Sequence, residues 1–157
     1  HWYQDRRQGG RLLGEVCHFI DTAGWIVGTA PNAVFAFGDG RGESLQQQNV
    51  IVLLRYPDGS LASIAYGSDG SPRTSKERID ILGRGHSITI ENFARLTVDG
   101  GRVKSSTSKG HVENLIAYKQ ALQDPHQARA SVKATLATTQ ASLDAARSLL
   151  TGQQSSR

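Results

Sequence analysis

His18 is the side chain whose type best suits proton transfer near neutral pH. On a helical wheel it shares a face with Gly14, Asp21 and Trp25, opposite a stripe of Val16, Ile20, Ala23 and Val27. Gly14 lies one turn earlier on the same face, and its missing side chain leaves room beside the imidazole. A glycine inside a helix costs up to about 1 kcal/mol relative to alanine, so its presence asks for a reason. Glu15 at i−3 and Asp21 at i+3 can each approach the ring, fixing a tautomer or raising its basicity. Spacing alone leaves two readings open: a surface histidine among charged neighbours, or a general acid/base.

Other reactive patterns are weaker. Cys17 falls mid-helix, away from the helix N-terminus whose dipole would lower its pKa, so nucleophilic catalysis is not expected there. Cys17 and His18 are adjacent and point to different faces, while His86 and His111 stand in other elements, so no metal site is expected. Gly38-Asp39-Gly40-Arg41-Gly42 follows a strand pattern, and Asp58 lies near the spacing of a ribose-binding acid. A dinucleotide turn must open directly into a helix, yet Glu43–Asn49 is short, glutamine-rich and leads to another strand. With no Gly-Lys-Ser/Thr loop either, the expectation is that this chain binds no nucleotide on its own.

The elements that must position these groups follow from periodicity. Leu12, Leu13, Val16, Ile20, Ala23 and Val27 make a helical stripe over residues 12–27, ended by Gly28 and Pro31. From Val34 onward short β-rich runs alternate with turns. Val50–Tyr56 and Leu61–Tyr66 flank Pro57-Asp58-Gly59. Glu77–Leu82 and Ser87–Ile90 flank Gly83-Arg84-Gly85, and Arg95–Val98 and Arg102–Lys104 flank Asp99-Gly100-Gly101. Helical spacing returns with Val112, Leu115, Ile116 and Leu122, which end near Asp124-Pro125. It continues with Val132, Leu136, Leu143, Ala146 and Leu150. The pattern is α+β: a predominantly antiparallel open sheet of about six strands with helices packed on one face. Val50–Leu54 is apolar throughout, so the other face points to a partner surface. Residues 1–151 read as one domain and 152–157 as a frayed polar tail.

Composition narrows the function classes. The 157 residues carry a net charge of +4, one cysteine and no methionine. Because the chain begins at His1 and lacks methionine, it is expected to be part of a longer translation product. One cysteine excludes an intramolecular disulfide and suits a reducing, cytoplasmic setting. No apolar run approaches the roughly 18 residues that span a bilayer, so no membrane association is expected. Residues 101–157 hold eight Lys/Arg against three Asp/Glu. Those cations are thinly spread and have only Tyr118 for stacking, which argues against nucleic acid as a partner.

The string Gly9-Gly10-Arg11-Leu12-Leu13-Gly14-Glu15-Val16-Cys17-His18-Phe19-Ile20-Asp21 resembles the start of the C-terminal domain of the glucose–fructose oxidoreductase / inositol dehydrogenase (Gfo/Idh/MocA) family. Similarity continues through Tyr56-Pro57-Asp58-Gly59-Ser60, Ser75-Lys76-Glu77-Arg78 and Ser108-Lys109-Gly110-His111, covering Trp2 to about Leu150. The subgroup it most resembles contains bidomain dehydrogenases that end in this module.

The resemblance implies an open antiparallel sheet with helices on one face and a second subunit on the other. It further implies an NAD(P)-dependent oxidoreductase of a sugar, cyclitol or related polyol, with NAD or NADP bound by an N-terminal Rossmann domain outside this chain. His18 would then stand beside the substrate hydroxyl as acid/base, working with a lysine of that domain. The family's commoner pattern has an aspartate four residues before the histidine, where this chain has Gly14. Glu15 through a shifted helix, Asp21, or a group elsewhere would orient the ring instead. Arg11 is either a ligand for an anionic substrate group such as a uronate or a first-turn surface arginine. Together Arg11, Glu15 and Asp21 are the candidate substrate-binding residues, and Lys76 and Lys109 are expected to be solvated or structural. By itself the chain is expected to be inactive. The alternative is a non-catalytic dimerisation or scaffold domain with a degenerate site.

Overall fold

Leu12, Val16 and Ile20 recur at four-residue steps and seat the first helix on a sheet; each is at most 1% exposed. The computed structural model describes residues 5, 8–40, 45–103 and 110–156. Of the positions discussed above, Trp2, Arg41, Gly42, Glu43, Lys104, Ser108, Lys109 and Arg157 lie outside the described residues. The helix predicted over 12–27 forms in two parts, a π-helical turn over Leu12–Val16 and α1 over Cys17–Val27. Gly28 caps it in the left-handed region at φ 84°, its N–H donating to Gly24 C=O at 2.8 Å.

Among the described residues eight strands follow, β1 (Ala33–Gly38), β2 (Asn49–Arg55), β3 (Leu61–Gly67), β4 (Arg78–Gly83), β5 (His86–Glu91), β6 (Arg95–Val98), β7 (Gly101–Val103) and β8 (Ser155–Ser156). Between β7 and β8 stand α2 (His111–Gln123) and α3 (Pro125–Thr151). The described residues up to Asp69 and those from His126 onward form one compact unit, and Gly70–Pro125 forms a second.

In the first unit the strands pair antiparallel in the order β3-β2-β1-β8. Alternation along β2 buries Val50, Val52 and Leu54 and turns Ile51 and Leu53 outward. The buried set packs with Leu12, Val16, Ile20, Val34 and Ala36, and with Ala141, Ala145 and Ala146 of α3. The hairpin between β2 and β3 turns at Pro57-Asp58-Gly59, with Gly59 at φ 87°. Asp58 belongs to that turn: its carboxylate accepts from the Ser60 N–H and hydroxyl at 3.0 Å each.

The second unit contains the meander β4-β5-β6-β7. Arg84-Gly85 and Asp99-Gly100 close two of its hairpins with positive φ at both turn positions, the twist that matches right-handed strands.

The α+β class and the antiparallel pairing hold, while the single sheet of about six strands becomes two sheets of four. Residues 69–76 between β3 and β4 are exposed, and β4 pairs with β5. The polar tail is tied rather than frayed at its end, since Ser155 and Ser156 pair with Val34 and Ala33. Of the third stripe only Ala146 reaches the core. Val132, Leu136, Leu143 and Leu150 are exposed, and α3 meets the core through Ala141, Ala145 and Ser148. Small side chains let the helix approach the sheet closely enough for the Ser148 hydroxyl to accept the Ala36 N–H at 2.9 Å. The stripe of α2 is exposed as well. Among the described residues no helix is long and apolar enough to cross a membrane.

Candidate functional site

The helix that carries His18 is fixed at its entry by Gly10, which has φ +64°. A Cβ on Gly10 would lie 1.8 Å from the Leu45 carbonyl oxygen, so only glycine fits. Arg11 follows and the chain enters the π-helical turn. Such turns are rare and recur at functional sites. One adds a residue to the helix, equivalent to about 100° of rotation.

Glu15, inside the turn, is presented to β3. Tyr66 donates its hydroxyl proton to Glu15 Oε2 in a short hydrogen bond. Arg11 Nη1 donates to the same phenol oxygen at 3.1 Å and to Glu15 Oε1 at 3.5 Å, while Arg11 Nε donates to Gln48 Oε1 at 3.1 Å. The Arg11 side chain is 14% exposed. Burial, and next the bond to Glu15, push the Tyr66 phenol above its ordinary pKa, while Arg11 pulls it back.

His18 stands exposed on the outward side of α1. Its Nδ1 lies 4.0 Å from Cys17 Sγ. Burial holds the Cys17 thiol above its usual value, which keeps it a poor nucleophile at neutral pH. Asp21, one turn on, accepts a hydrogen bond from the Thr138 hydroxyl at 2.6 Å and so ties α1 to α3. The structure therefore brings Arg11 and Glu15 together against the sheet and leaves His18 and Asp21 on the solvent side.

Tyr66 and Gln48 were not singled out by the sequence. The available signal was the position of Tyr66 in the inward series Ala62, Ile64, Tyr66, where a half-buried phenol requires a partner. Their separation from Arg11, 55 and 37 residues, hides the contact from any local spacing rule.

The remaining candidates are structural. Lys76 is solvated, its side chain 86% exposed beside Glu77. His86 Nδ1 pairs with Asp99 Oδ2 at 2.7 Å across the ends of a hairpin. That contact and the Ser87 N–H hold the Asp99 carboxyl below its usual value. Among the described residues no three His, Cys, Asp or Glu side chains gather as metal ligands. A shallow recess of about 340 Å³, bordered by Phe37, Asn49, Ile51 and Ala65, opens on the outer face of the first sheet. Helix α1 packs on the inner face, so the recess and His18 lie on opposite sides.

The sequence model of the GFO/IDH/MocA C-terminal domain matches residues 1–89, the stretch that holds the π-helical turn, α1, the first four strands and the start of β5. The chain belongs to this family. No curated protein matches it in sequence. Among solved structures it is similar to an oxidoreductase from Thermotoga maritima, with a TM-score of 0.66 and 14% identity, over 99% of this chain and 47% of that one. It is also similar to the WlbA dehydrogenase from Bordetella pertussis in complex with NADH and UDP-GlcNAcA (TM-score 0.58, 18% identity, 91% of this chain and 44% of that one). A third is an oxidoreductase from Agrobacterium radiobacter in complex with NAD+, L-tartaric acid and magnesium (TM-score 0.59, 19% identity, 90% and 47%). At these identities the likeness is one of fold, and the chain spans less than half the length of each. Within this Gfo/Idh/MocA domain Gly14 stands where the resemblance placed an aspartate, and the neighbouring acid, Glu15, is bonded to Tyr66 and Arg11.

Proposed function

We propose that this domain is the substrate-binding and oligomerisation part of an NAD(P)-dependent oxidoreductase acting on a sugar, cyclitol or related polyol. One observation carries the reading: a member of this family presents His18 in the open on α1, with Asp21 one turn away. Oxidising a secondary alcohol removes a hydroxyl proton and a hydride. The neutral imidazole of His18 is suited to accept the proton, and Asp21 to accept a hydrogen bond from a neighbouring hydroxyl. A nicotinamide would take the hydride, and NAD+ or NADH is bound in the Agrobacterium and Bordetella relatives.

The sequence after Gly38–Gly40 is glutamine-rich and carries no helical pattern of the kind a dinucleotide turn opens into. The proposal accordingly assigns this chain only the proton, and the nucleotide to a Rossmann domain elsewhere in the polypeptide. The assay is turnover by the full-length polypeptide carrying His18→Gln. We expect kcat to fall about 10²- to 10⁴-fold with cofactor affinity and oligomeric state unchanged; unaltered turnover overturns the acid/base role.

A second reading, a non-catalytic scaffold, is favoured by the engagement of Glu15 with Tyr66 and Arg11. It requires wild-type full-length protein to bind a nicotinamide nucleotide without turning over any polyol.

A further inference from the structure

Three residues of α1 are exposed: His18, Asp21 and Trp25. Steps of three and four residues set them in one column, and Trp25 returns to within about 20° of His18 around the helix axis. His18 and Asp21 have roles in the reaction proposed above. Trp25 has none, yet at 82% it is the most exposed large apolar residue among those described. A lone exposed apolar side chain needs no explanation. This one shares its column with two groups that make hydrogen bonds.

Packing the column against a protein core would bury an imidazole and a carboxylate with the indole, a desolvation cost for both. A carbohydrate suits all three. Its hydroxyls pair with the imidazole and the carboxylate, and the C–H groups on its ring faces lie flat on an aromatic plane. Asp21 accepts from the Thr138 hydroxyl of α3 at 2.6 Å, so the middle of the column is held in place. Helical Cα–Cβ bonds tilt toward the N-terminus, which inclines the indole toward Asp21. Trp25 lies seven positions after His18, a rise of about 10 Å. One pyranose ring with its reacting hydroxyl at His18 stops short of a span of about 10 Å, whereas two rings joined by an oxygen fill it.

We infer that Trp25 is the platform for a second ring, and that the substrate is a disaccharide or other glycoside oxidised on the ring nearest His18. The inference rests on the reading of His18 as the acid/base group. It adds to that reading the size of the substrate and a residue that selects it.

The test uses the full-length polypeptide with its nicotinamide nucleotide and glycoside pairs that share their first ring and its anomeric linkage. The pairs are methyl β-D-glucoside against cellobiose, methyl α-D-glucoside against maltose, and methyl β-D-galactoside against lactose. Phenyl β-D-glucoside against methyl β-D-glucoside distinguishes an aromatic aglycone from a second sugar. The readouts are the ratios of kcat/KM and of Kd within each pair. In at least one pair wild type should favour the two-ring member by at least about tenfold. Trp25→Ala should bring that ratio to within about threefold of unity, and Trp25→Phe should keep most of it. No preference for two rings in any pair overturns the inference. So does a preference that survives Trp25→Ala, which would leave the indole to a contact with the rest of the polypeptide. His18→Gln is measured alongside: if turnover survives it, the acid/base reading falls, and the Kd ratios still decide the role of Trp25.

Discussion

The Tyr56 phenol is 1% exposed, and its oxygen has no hydrogen-bond partner among the described residues. A buried donor left unpaired costs stability that an isosteric apolar ring does not. Tyr56→Phe should therefore stabilise the domain by about 1 kcal/mol, raising Tm by about 2–4 °C in calorimetry at neutral pH. Burial also pushes this phenol up to about 12. An unfolded tyrosine titrates near 10. Between roughly pH 10 and 12 the unfolded chain loses its proton first, so wild-type stability should fall across that window by more than that of the variant. Spacing put His18 and Asp21 on the exposed side of the helix, where the structure has them, whereas Glu15, expected beside the ring, bonds Tyr66 and Arg11 instead. Tyr66 and Gln48 were not legible at this scale, because what joins them to Arg11 is the packing of a helix on a sheet.

At the scale of elements, β1 shows what a helix can do for a strand edge. Beyond the short ladder of Val34 and Ala33 with β8, the Ala36 N–H has no strand to pair with, and the Ser148 hydroxyl of α3 takes its place. Ser148 is fully buried, so water cannot substitute for it. Ser148→Ala should cost about 1–3 kcal/mol in urea unfolding and speed hydrogen exchange at the Ala36 amide. Stability and exchange equal to wild type would show that the contact contributes nothing. The same contact explains why the α3 stripe misled. Large apolar residues define the obvious periodicity, yet α3 buries Ala141, Ser142, Ala145, Ala146 and Ser148 and leaves Leu136, Leu143 and Leu150 outside. The strands were readable because turn chemistry brackets them: Asp99-Gly100 and Arg84-Gly85 sit in two-residue turns, as their glycines require. The π-helical turn left no such mark, since Leu12, Val16 and Ile20 satisfy a helical stripe with or without it.

At the scale of the molecule, the outer face of the first sheet is the feature that a solitary domain leaves unexplained. Register places Phe35 beside Leu53, Phe37 beside Ile51, and Ile51 beside Ala65 on its other side. The two phenylalanine rings lie 6.0 Å apart. Phe37, Ile51 and Leu53 are 37–47% exposed and Leu61 is 77% exposed, although every one of them is apolar. A contiguous apolar sheet face of this kind marks an interaction surface. A second copy satisfies it most simply, because an isologous contact sets the same face against itself. In that arrangement one substitution acts twice. Under the proposed self-association, Leu53→Glu should place a carboxylate from each subunit in the interface and shift sedimentation equilibrium at micromolar concentration to monomer. The far-UV circular dichroism and Tm of the monomer should stay close to wild type at matched association state, because the Leu53 side chain faces away from the core formed by Val50, Val52 and Leu54. Ala65→Glu, one strand over and on the same face, should act in the same direction, whereas Leu82→Glu in the second sheet should leave association unchanged. Oligomeric state insensitive to both first-sheet charges would remove the second copy as the occupant of this face.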